Sequence, residues 1–182
     1  MDRGLLYYVM IPLLALAALF QSAVLPRLEV RGVKPDLVLL LVLIGVLIYG
    51  PRISLLWAFV GGLFLDIFSG GPMGVSSLAL MAAVAVTGVG HHTLSRYHLL
   101  VPIGVAIVGS IAYGATYLGV LMVLDRLAAI LDWNLAQHDI QFWPTVEVVL
   151  APAVLYNTIL MIFAIPLLNR VPENQEAVTT FQ

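Results

Sequence analysis

Residues 37–68 read LVLLLVLIGVLIYGPRISLLWAFVGGLFLDIF, with only Arg52 and Asp66 charged, and no other stretch limits the possible folds so tightly. Hydrocarbon satisfies no backbone polar group, so a run of this kind placed in a bilayer must be helical. As a single helix its 32 residues would be about 48 Å long, far beyond a hydrocarbon core of roughly 30 Å. Gly50-Pro51-Arg52 interrupts the run, because glycine frees the backbone and proline removes an N–H. The stretch therefore predicts two short helices joined by a tight turn, with a re-entrant hairpin as the alternative.

The rest of the chain is of the same kind. With 62% hydrophobic and 10% charged residues and a mean hydropathy of +1.05, a soluble domain of 182 residues could not hide its apolar surface from water. The composition predicts an all-α integral membrane protein embedded in the lipid bilayer, since a closed barrel would need an alternation that is absent. There is no cysteine, which excludes disulfides and thiolate metal sites. A net charge of −2 and the lack of a basic tract argue against nucleic acid. No Gly-x-Ser-x-Gly, His-Glu-x-x-His or Gly-Lys-Ser motif occurs, so neither enzymatic activity nor a cofactor is expected. His91-His92 has no answering ligands at metal spacing and reads as interfacial polarity.

Six apolar runs predict spanning helices over residues 5–25, 36–50, 53–68, 75–92, 99–124 and 144–168, forming one domain over 1–168 with a polar, disordered tail at 169–182. A cleaved signal peptide is the rival reading of the first run, which is long for that role. Gln21 and Ser22 near its end can hydrogen-bond a neighbouring helix. The loop that follows gathers Arg27, Arg31 and Lys34, and then Pro35 and Asp36 mark a helix start, where the dipole favours an anion. Leu127, Ile130, Leu131 and Leu135 predict an amphipathic surface helix within 125–142, with Trp133 and Trp143 at headgroup level. The last run carries Glu147 and Asn157, with Pro152 and Pro166 as expected kinks.

Within the long stretch, Ala58, Gly62 and Asp66 fall four apart and share one helical face, so the carboxylate should point at protein. A turn at Gly70, Gly71, Pro72 and Gly74 follows. Two further small-residue faces, Ala79/Ala83 and Ala106/Ser110/Gly114, predict close helix packing, inside the bundle or against a partner. Antiparallel neighbours joined at Pro51 would bring Asp36 and Asp66 to one membrane side, together with Arg27, Arg31 and Lys34. Those cations are the candidate partners of Asp66, either pinning the loop over the bundle or forming a ligand or partner site. Charge alone leaves the orientation tied: Arg3, Arg52, Arg96 and Arg170 fall on one side, Arg27, Arg31, Lys34 and Arg126 on the other.

Pro35-Asp36-Leu37, the segment GGLFLD at 61–66 and SGGPMG at 69–74 resemble the bacterial rod shape-determining MreD family. The resemblance implies a non-enzymatic component of the cell-wall elongation machinery in the inner membrane, with both termini cytoplasmic. It also implies partners: MreC, the actin-like MreB, and the RodA glycosyltransferase with its class B penicillin-binding protein. A similarity in fold to the substrate-binding S components of energy-coupling-factor vitamin transporters supplies the alternative function. The resemblance gives no role to the second basic residue before Pro35 or to the long fifth loop.

Overall fold

The computed structural model describes residues 3–25, 35–89, 100–131 and 149–168. These form α1 (Arg3–Ala23), α2 (Leu37–Tyr49), α3 (Pro51–Ser69), α4 (Val75–Gly88), α5 (Leu100–Ile130) and α6 (Ala151–Leu168). The described residues contain helix and turn alone.

α2 is apolar on every face, the pattern of a helix surrounded by protein. It touches each of the other five helices. Val38, Leu39, Val42, Leu43 and Val46 are essentially inaccessible. Around it α1 packs on α3, α3 on α4, α4 on α5 and α5 on α6, while α1 and α6 hardly meet. At 13 residues α2 is only about 20 Å long, and its central place makes that length tolerable because protein, not lipid, covers it. The break before α3 falls where proline predicts: Gly50 adopts a φ of 83° and Pro51 occupies the first turn, where no N–H is needed.

The small-residue faces lie inside the bundle. Ala58, Ala79, Ala83 and Ala106 are fully buried and Ser110 nearly so. Gly62 lets α3 approach α4 so closely that a methyl group there would collide with the Ser77 backbone, and Ser77 Oγ donates to the Phe59 carbonyl at 3.0 Å. At Gly114 the space for a side chain is already filled by Leu150. Larger side chains complete the core: Trp57 covers Gly45 and meets Tyr49 edge-on at 5.3 Å. Outward, Leu16 and Phe20 on α1, Phe59 and Ile67 on α3, and Leu155 and Phe163 on α6 are exposed. Such an outer surface suits hydrocarbon and would be untenable in water.

α3 and α5 are each long and apolar enough to cross a membrane, whereas the described apolar portions of the other four helices are shorter. One expectation changes. α5 continues to Ile130, beyond the expected end at 124, so residues 125–130 extend that helix and do not start a separate one. Leu127, Ile130 and Leu131 on this extension are exposed, while Leu135, Trp133 and Trp143 lie outside the described residues. Pro152 lies in the first turn of α6, directly after a π-helical turn at Val149 and Leu150, and Pro166 sits inside that helix. His91-His92, Glu147 and the tail at 169–182 also lie outside the described residues.

Gly62→Ala should lower stability by about 1–3 kcal/mol, because the obstacle is backbone that cannot rotate away. Gly104→Ala, at a helical position with open space around it, should be neutral or stabilising by up to about 1 kcal/mol. Thermal unfolding of the two variants in detergent measures the difference.

Candidate functional site

A helix that begins inside a bundle leaves its first N–H groups without partners, and away from water each must find an acceptor. α4 begins at Gly74, whose φ of 92° favours glycine and which has no side chain to cap the helix. The acceptor comes from the previous helix. Asp66 Oδ2 accepts the Gly74 N–H at 2.6 Å and Oδ1 accepts the Ser76 N–H at 3.1 Å. The carboxylate, 2% exposed, thus caps α4 from eight residues upstream, with the helix dipole favouring its charge. The turn at 70–74 makes this possible: Gly70, at φ 69°, ends α3 with its N–H on the Asp66 carbonyl, and the chain reverses through Gly71 and Pro72.

α2 is capped from three elements. Asp36 Oδ1 accepts the Leu39 N–H at 3.0 Å, the usual N-cap bond, and also Gln21 Nε2 at 3.1 Å. Gln21 Oε1 accepts the Val38 N–H at 3.1 Å. The Asp36 N–H donates to Asn157 Oδ1 at 2.9 Å, and Asn157 Nδ2 donates to Ser110 Oγ at 3.1 Å. Tyr113 on α5 lies beside the side chains of both Asp36 and Ser76. Hydrogen bonds around Asp36 thus tie together α1, α2, α5 and α6, and those of Asp66 tie α3 to α4.

Beside this network a cleft of about 380 Å³ opens among Gln21, Ser22, Asp36, Ser69, Tyr113 and Tyr117. Asp36 and Asp66 therefore lie at one end of the bundle. Arg27, Arg31 and Lys34, the candidate partners of Asp66, lie outside the described residues. Among the described residues no group of three or more His, Asp or Glu side chains is placed to hold a metal ion.

Asn157 and Ser76 take part in these hydrogen bonds and Tyr113 lines the cleft, but the sequence did not mark them as site residues. Asn157 carried the signal, as a buried amide in an apolar run, yet its partner lies 121 residues away. Asn157→Leu should lower stability by about 1–3 kcal/mol, since it strands the Asp36 N–H. Asp66→Ala should cost about 1–3 kcal/mol, and Asp66→Asn about half as much, because the amide keeps one acceptor for two donors. Denaturant midpoints in detergent order the three variants.

Neither the curated proteins nor the solved structures include a match to this chain. The family model described as rod shape-determining protein MreD matches residues 2–171 of the 182, and the chain belongs to that family.

Proposed function

We propose that the protein is a non-enzymatic scaffold of the cell-wall elongation machinery, crossing the inner membrane six times with both termini cytoplasmic. On this reading it supports rod shape by binding other membrane proteins, MreC first, then RodA with its class B penicillin-binding protein, and MreB. Arg27, Arg31 and Lys34 would anchor the first loop near Asp36 and Asp66.

One observation carries the interaction. The buried small-residue faces are taken up within the bundle, so a partner needs another surface, and the seam between α1 and α6 offers one. There Leu37, Leu41, Ile44 and Ile48 of α2 remain half-buried, at helical spacings of four, three and four. A single apolar helix laid along that seam would cover the last open side of α2 and gain packing that lipid supplies less well.

The second reading, a substrate-binding transporter subunit, draws on the cleft beside Asp36 and Gln21. The family match favours the scaffold.

The double substitution Leu41→Trp, Ile44→Trp fills the seam with indole rings and should reduce co-purification of MreC at least about tenfold, equivalent to about 1.4 kcal/mol. Phe163→Trp, at an exposed position on α6, should leave it unchanged. Full partner recovery with the doubly substituted protein, folded by its thermal midpoint, would place the interface elsewhere.

A further inference from the structure

α2 can be short because protein covers it, but α4 has no such cover. It has 14 residues, about 21 Å, and lies midway along the outer row of helices, across from the α1/α6 seam. Leu78, Ala85 and Val86 on its outer side are exposed, an apolar face that suits hydrocarbon. A helix that faces lipid directly must match the bilayer, or the bilayer must adjust to it.

Both ends of α4 are fixed by structure that hydrocarbon does not tolerate. Before its start, residues 70–74 form a turn in which Gly70, Pro72 and Met73 are exposed, and lipid has nothing to bond an exposed turn backbone. At its far end Gly88 lies so close to Pro51 that a methyl group there would collide with the proline ring. That contact sets the end of α4 level with the α2/α3 turn and with Arg52, which is exposed. The height measured along α3 agrees. From Pro51 to Asp66, whose carboxylate holds the start of α4, α3 rises about 22 Å, and only its last turn passes that level.

This height is about 8 Å short of a hydrocarbon core of roughly 30 Å, and tilting the helices would only shorten their span further. The shortfall belongs to one flank. α1, with 21 residues and a length of about 31 Å, matches an ordinary core, and α5, with 31 residues, exceeds it. We propose that the α3/α4 flank thins the bilayer locally, to about 22–25 Å, and gathers phospholipids with short acyl chains. Long chains at this flank would have to compress, or else leave the turn at 70–74 in hydrocarbon. The inference rests on membrane insertion, as in the reading above, but on no protein partner, and the flank shares no residue with the α1/α6 seam.

The test uses the full-length protein, whose lack of cysteine allows single labels to be attached. A fluorophore is placed at Leu78→Cys or Ala85→Cys on α4, or at Leu16→Cys on α1, all exposed positions within a turn of the middle of their helices. The labelled proteins enter bilayers of equimolar myristoleoyl and erucoyl phosphatidylcholine, with one lipid or the other brominated so that it quenches a label it touches. At both α4 positions the short-chain lipid should quench at least about twofold more than the long-chain lipid, and at Leu16 the two should quench equally. Equal quenching at either α4 position would overturn the proposal. The same short-chain preference at Leu16 would overturn it too, because the thinning would then not belong to this flank. Absence of quenching at all three positions would overturn membrane insertion itself, and the thinning with it.

Discussion

The structure depends on the need to cap helices where water cannot do so. α2 and α4 both begin inside the bundle, and their first N–H groups are met by protein acceptors. A stranded N–H there would lose about 1–3 kcal/mol, and two helices with several such groups each would approach the whole stability of a typical domain. Asp36 and Asp66 solve the same problem by different routes. Asp36 caps its own helix locally, whereas Asp66 reaches across a glycine-rich turn to cap the next one. Each charge is favoured by the dipole of the helix it caps, which explains how a carboxylate 2% exposed persists in so apolar a chain.

With both caps at one end, the chain can place an entirely apolar helix at its centre. α2 needs no polar face because its neighbours cover most of it and its half-buried side is apolar as well. The helices around it pack tightly from α1 through α3, α4 and α5 to α6, leaving the α1/α6 seam open, because the small residues sit where helices cross. This arrangement also determines what is left for other molecules. The glycine and alanine faces are covered, and the remaining features are a seam along α2 and a cleft over the capped end.

Much of this was legible in residue order. The start of α2 at Pro35-Asp36, the break at Gly50-Pro51, and the inward direction of Asp66 all follow from local rules of helix initiation and spacing. The acceptor role of Asp66 toward Gly74 and Ser76 did not, since an eight-residue reach depends on how the turn at 70–74 folds back. Asn157 was out of reach for another reason: no local pattern ties it to Asp36, and only the packing of α6 on α5 and α2 brings them together. α5 runs past 124 because Asp125 and Arg126, which in the sequence open a polar stretch with a separate surface helix, are well tolerated in a helix that extends past the hydrocarbon.

The network does more than cap. Gln21 belongs to α1 and Asn157 to α6, the two helices that hardly touch, and both are bonded to Asp36 at the head of α2. Those two bonds hold α1 and α6 at a set distance from α2 at this end, so they also set the width of the seam that begins one residue later at Leu37. Farther along, the half-buried stripe of α2 continues through Leu41, Ile44 and Ile48, apolar side chains whose contacts are weaker in direction and easier to rearrange. A partner helix entering the seam would therefore meet a rigid end beside Asp36 and a more adaptable one toward Ile48. In the proposed complex, polar bonds at one end would register the partner along the helix, while packing at the other would accommodate it.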